Sequence, residues 1–132
     1  MFFFFLPNNL AVTDPALEKF ESGLSFVRGR YPQMTVGALE SLIYIARNQS
    51  RIFEAGMSLK DIARELAVRY PTLTRHTDVL GHGVAGKGGL QLLEKVAISE
   101  DQKERRVELT EGGMRFLSEL VSTISKTQTE LG

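Results

Sequence analysis

Three groups of residues carry side chains or backbone that could do chemistry. Gly81 to Gly89 reads GHGVAGKGG, and its opening fits the G-x-x-x-x-G-K pattern of a phosphate-cradling loop until Gly88 stands where Ser or Thr would hold magnesium. Such a loop follows a strand and opens a helix. Here a helical pattern precedes it, a strand pattern follows, and five glycines in nine residues meet the motif through composition alone. The stretch therefore reads as a strap between two elements. Lys87 within it is either a cation within reach of a DNA phosphate or a solvated linker lysine.

The second group is Arg69, Tyr70, Thr72, Thr74, Arg75 and His76, clustered where a helical pattern begins. Short polar and basic side chains at a helix start suit phosphate oxygens and base edges, because backbone donors and the helix dipole point the same way. Arg75 has paired donors that fit guanine; the alternative is a surface arginine pairing with Asp78 one turn on. Thr72 and Thr74 suit phosphate contact or ordinary local capping, and His76 suits a helix flank better than a base edge. Lys103, Arg105 and Arg106 form the third group, a cationic cluster of the kind that enters a minor groove. Glu94, Glu100, Asp101 and Glu104 are interleaved with it and cancel much of its charge.

Composition narrows the chemistry further. The chain of 132 residues has 16 Lys and Arg against 16 Asp and Glu, so any polyanion site must be local. It has no cysteine and only two histidines, His76 and His82, which removes thiol nucleophiles, disulfides and thiolate metal sites. No metal, cofactor or catalytic constellation is expected, and the reading is not an enzyme. The absence of cysteine is compatible with a reducing cytoplasm, which is the expected location. MFFFFL at the start is too short for a membrane span and has no basic stretch ahead of it, so it reads as a frayed start or as an aromatic arm that packs on a partner subunit.

The elements that must position these residues follow from caps and periodicity. Asp14 and Pro15 open a helix with Leu17, Phe20, Leu24 and Val27 on one face, ending near Gly29. Thr35 caps a second, with Leu39, Leu42, Ile43 and Ala46 inward, and NQSRIFEAGM reads as a loop. Ser58 and Asp61 make a capping box ahead of the Leu59, Ile62, Ala63 and Leu66 stripe. After a short turn, residues 70–80 form a further helix with Leu73, Thr77 and Leu80 inward, which at 100° per residue puts Arg75 nearly opposite them. That pair is a candidate helix-turn-helix. LLEKVAIS and RRVELT then read as a two-stranded ribbon around the polar EDQKE. Thr110 caps a last helix with Met114, Leu117, Val121 and Ile124 at helical spacing, although Gly112 and Gly113 weaken its first turn by roughly 1 kcal/mol each.

LKDIARELAVRYPTLTRHTDVL followed by GLQLLEKVAISEDQKERRVELTEGG resembles the MarR family of winged helix-turn-helix transcription regulators, over about residues 14 to 126. Gly89-Leu90, Asp101, Leu109-Thr110 and Gly113 fit the family's order around the wing, whereas its usual D-R-R tip stands here as Asp101-Gln102-Lys103, with Arg105 and Arg106 displaced toward the second strand. The Gly- and Lys-rich strap is longer than in typical members. The resemblance implies a single mainly α domain with a small β-hairpin, a winged helix-turn-helix dimerising through its N- and C-terminal helices. Residues 14–30 and 110–130 would form the dimerisation helices, 35–110 the DNA-binding lobe, and 1–13 a flexible or arm-like segment. It implies a dimeric repressor of double-stranded DNA, with helix 70–80 in the major groove, wing 92–110 toward the minor groove, and a pseudo-palindromic operator with half-sites about one DNA turn apart. A small aromatic effector is a further candidate partner, with Phe20, Phe26, Tyr31, Tyr44 and Phe53 as candidate lining residues or core. The absence of cysteine excludes the cysteine-based peroxide sensing seen in part of that family. The rival reading is a winged-helix protein–protein module that does not bind DNA.

Overall fold

A computed structural model describes residues 14–83, 88–97 and 105–131, with the backbone alone for Ala97, Arg105 and residues 128–131. Six helices and one two-stranded antiparallel hairpin make up these residues: α1 (Pro15–Arg30), α2 (Val36–Arg47), α3 (Gln49–Ala55), α4 (Leu59–Leu66), α5 (Tyr70–Leu80), β1 (Leu93–Ala97), β2 (Arg105–Leu109) and α6 (Glu111–Leu131). The chain divides into two compact units, one reaching to Met34 and resuming at Ser118, the other Thr35–Leu117, so the boundary falls inside α6. No helix among the described residues is long and apolar enough to cross a membrane.

The helix starts form where the sequence places caps. Asp14 accepts from the Ala16 amide, Thr35 from Ala38, and Ser58 from Asp61 while the Asp61 carboxylate accepts from the Ser58 amide. Each satisfies a backbone donor that the first turn leaves unpaired. Thr110 likewise accepts from the Gly113 amide.

NQSRIFEAGM is not a loop: residues 49–55 form α3. Its start has no side-chain cap, because the Asn48 amide group donates back to the Tyr44 carbonyl instead. Packing supplies what capping does not. Ile52 is fully buried, and Gln49 Oε1 accepts from the Leu109 amide, so α3 is tied to the second ribbon strand.

In the Thr35–Leu117 unit the core is built from Leu42 and Ile45 of α2, Ile52, Leu59 and Ile62, Leu73 and Leu80 of α5, Leu92, Leu93, Val107 and Phe116. The face of α2 is rotated from the expected one: Ala38, Ser41, Leu42 and Ile45 are buried, whereas Leu39, Ile43 and Ala46 are only half-buried. Ser41 is accommodated there by donating to the Gly37 carbonyl. The last helix departs similarly, with Phe116 and Leu120 buried while Met114 and Val121 stay exposed. Gly113 explains the rotation, since a Cβ there would lie 2.3 Å from the Leu92 carbonyl oxygen. The glycine that weakens the first turn in isolation is what lets α6 close on the segment before β1.

Within the other unit α1 and α6 meet around Gly23, where a Cβ would sit 3.2 Å from Ile124 and 3.4 Å from Leu120. Val27 is buried, but Leu17, Phe20 and Leu24 remain 47%, 64% and 37% exposed. Among the described residues, only one edge of the apolar stripe of α1 is therefore covered.

Candidate nucleic-acid interface

The geometry of α5 follows from its inward face. Leu73 and Leu80 are fully buried and Thr77 nearly so, with the Thr77 hydroxyl donating to the Thr74 carbonyl. α5 packs on α2 and on α4, from which it is separated by the three residues Ala67, Val68 and Arg69. Ala67 takes the left-handed conformation (φ 57°) that closes α4 and redirects the chain. With one side fixed, Arg69, Tyr70, Thr72 and Arg75 are all exposed.

Arg75 makes no ion pair with any described residue, because Asp78, the partner that the helical spacing offers, is taken by Lys95 of β1 at 2.5 Å. His76 lies on the flank with its ring against Gly37, and its Nδ1 is buried without a hydrogen-bond partner among the described residues. The Thr74 hydroxyl is buried and unpartnered in the same sense, so it faces inward and is not offered to a phosphate. Tyr70 is 42% exposed, and the Lys60 ammonium of α4 sits 5.6 Å from the centroid of its ring. Lys60 did not stand out in the sequence; only the fold brings it beside Tyr70.

The ribbon differs. Its register pairs Leu93 with Leu109, Lys95 with Val107 and Glu94 with Glu108. Two carboxylates directly opposite one another repel, and Arg106, two residues from Glu108 and so on the same strand face, donates to it from both Nε and Nη2. The same guanidinium lies 4.7 Å from the Phe53 ring centroid. Arg106 is thus turned toward α3 instead of standing free at a wing edge. It helps line an open cleft of about 300 Å³ with Gln49, Ser50, Ile52, Phe53, Val107 and Glu108. Lys103 and Lys87 lie outside the described residues, as do the MFFFFL start and the side chain of Arg105.

The strap between α5 and β1 is tied at its base. Gly81 and Gly83 donate to the Asp78 carbonyl, Gly89 to His82, Leu90 to Val79 and Gln91 to Gly81. A Cβ on Gly89 would fall 2.2 Å from the Gly81 oxygen, so the two ends touch backbone to backbone. The amides of Gly81, Gly83 and Gly89 are thus spent on backbone carbonyls, and residues 84–87 lie outside the described residues. Of the aromatic residues considered for an effector, Phe20, Phe26 and Tyr31 belong to one unit and Tyr44 and Phe53 to the other. Phe26 lies under Arg30, which also pairs with Glu119 at 2.6 Å. Burial, together with a hydrogen bond to Glu65, holds the Tyr44 hydroxyl above its ordinary pKa.

The segment from Lys60 to Arg75 therefore presents cations without matching free acids. Asp61 is consumed by the capping box and by Arg64 at 3.2 Å, and Glu65 by Tyr44 and by Arg51 at 2.6 Å. Backbone donation from Ser58 is the main cause that keeps the Asp61 carboxyl below its ordinary pKa, opposed by desolvation and aided by the Ser58 hydroxyl and Arg64. Lys60, Arg69 and Arg75 have no ion pair with any described residue. Such a strip carries local positive charge although the chain has no net charge. No protein-family model matches the chain, and no curated protein matches it in sequence.

Proposed function

We propose that the chain is a sequence-specific double-stranded-DNA-binding transcription regulator of the winged helix-turn-helix type, as its resemblance to the MarR family implies. The observation that carries this reading is α5. Its Leu73, Thr77 and Leu80 face is locked into the core, and Arg69, Thr72 and Arg75 are left exposed, with Arg75 free of Asp78. A helix fixed from behind, with an uncommitted guanidinium on its outer side, suits the major groove and guanine in particular. The exposed Leu17, Phe20 and Leu24 of α1 and Val121 of α6 support a homodimer through those helices, which would set two copies of α5 across a dyad. On this reading the base contacts come from α5 and the ribbon has the lesser share, since Arg106 and Lys95 are already paired.

The test is selection of the purified chain against a random duplex library at two salt concentrations, with Arg75→Ala alongside. Enrichment of a two-fold symmetric motif, relaxed in Arg75→Ala, is the expected result. The neutralised ribbon favours one rival, a protein-interaction module. Absence of both enrichment and salt-dependent binding would overturn the DNA reading in its favour.

A further inference from the structure

We infer that Lys60 and Tyr70 form a phosphate-contacting pair beside α5, holding the DNA backbone while Arg75 meets the bases. This rests on the DNA-binding reading above and adds Lys60, which its sequence-derived residues lack, as the partner of Tyr70. Both side chains are exposed, and they come from different helices, α4 and α5. The Lys60 ammonium lies 5.6 Å from the Tyr70 ring centroid, close enough for the ring face to hold it in place. A lysine otherwise samples many rotamers, so this contact lowers the entropy lost when a phosphate is bound.

The surroundings leave the charge available. Asp61, next in sequence, accepts from the Ser58 amide and hydroxyl and from Arg64. Glu65 accepts from Tyr44 and Arg51. Neither carboxylate is bonded to Lys60, in contrast to Lys95 and Arg106, each of which has its own acid. The pair thus offers an ammonium over the ring of a tyrosine that carries a hydroxyl donor of its own, groups suited to a phosphodiester contact, which fixes position without reading sequence.

Anisotropy titrations of the full chain decide it. The probes are the selected duplex and a random-sequence duplex of equal length, from 50 to 200 mM KCl, with wild type, Lys60→Gln, Lys60→Arg and Tyr70→Phe. Lys60→Gln is expected to flatten the dependence of log affinity on log salt by about 0.9 per protomer, about 1.8 for the dimer, on both duplexes, so that affinity lost across this range is roughly tenfold less than for wild type. Lys60→Arg restores the wild-type slope. Tyr70→Phe retains it, because the ring that places the ammonium remains. Thermal melting of each variant at the wild-type temperature excludes misfolding as the cause. Steep salt dependence in wild type with an unchanged slope in Lys60→Gln overturns the pair alone. No salt-dependent duplex binding by wild type overturns the DNA reading together with the pair.

Discussion

Two regions of the Thr35–Leu117 unit carry basic side chains in similar density, and they use them in opposite ways. On the ribbon, Lys95 is bonded to Asp78 and Arg106 to Glu108, and both cations are largely buried, their side chains 20% exposed. Along α4 and α5 the acids are the committed partners, Asp61 in its capping box and Glu65 under Tyr44 and Arg51, while Lys60, Arg69 and Arg75 face solvent. The difference teaches that cation count does not locate a polyanion surface. What matters is which member of each neighbouring pair the fold has already spent, because a charge satisfied within the chain must give up that partner before it binds another.

The largest effect comes from removing the platform beneath the available cations. Leu73→Ala deletes a fully buried side chain from the inner face of α5 and is expected to cost about 2–5 kcal/mol in urea unfolding. A loss under 1 kcal/mol would mean that α5 is not held by its inward face, and the contrast between a fixed helix and a paired ribbon would collapse.

Next in size is the contrast itself. Arg75→Ala is expected to lose about 1–3 kcal/mol of discrimination between the selected duplex and one altered at the contacted base, and Arg106→Ala to leave that discrimination unchanged. Competition binding with both variants reads this directly. Equal losses would show that the bond to Glu108 opens on DNA and that the ribbon reads sequence as well.

A smaller change converts one region toward the other. Asp78→Asn releases Lys95 from its 2.5 Å partner. If the liberated ammonium then reaches phosphate, the salt dependence of binding steepens by about 0.9 per protomer. An unchanged slope would place Lys95 too far inside the ribbon to reach DNA even when unpaired.

Much of this arrangement is legible in the sequence, and the parts that are not share a cause. Caps are local, so Asp14, Thr35, Ser58 and Thr110 mark helix starts correctly, and the β-branched and aliphatic runs LLEKVAIS and RRVELT mark the ribbon. Helix α3 escaped because it has no cap and exists through burial of Ile52 and the bond from Leu109 to Gln49, 60 residues away. The buried faces of α2 and α6 lie rotated from those the spacing suggests, because a stripe broad enough to offer two edges does not say which edge a neighbour takes. On α6 that choice was made by Gly113. Pairing is the hardest of all to read. Asp78 looked like the helical neighbour of Arg75, and its actual partner is 17 positions on, across a strap whose ends only the fold brings together. For the same reason Arg75 and Thr72 could be placed outward from helical geometry, whereas the packing of Arg106 on Phe53 and the approach of Lys60 to Tyr70 could not.

The smallest expected effect concerns the acid that leaves Lys60 unpaired. Folding lowers the Asp61 carboxyl below its ordinary value near 3.8, chiefly through the Ser58 amide. A folded value below the unfolded one means that the unfolded chain binds more protons in this window. The carboxylate therefore contributes in full above the unfolded value, and its contribution is lost as pH falls through the folded one. Asp61→Asn is expected to cost about 0.5 kcal/mol at pH 7, toward the lower end for a cap because the side chain is 40% exposed and screened by solvent. Urea unfolding of wild type and variant should differ at pH 7 and converge as pH drops below about 3.8. A difference undiminished from pH 7 down to about pH 2 would mean that the neutral acid caps α4 as well as the anion does. The charge on Asp61 would then not be spent on the helix start, and its claim on the neighbouring cations would have to be counted again.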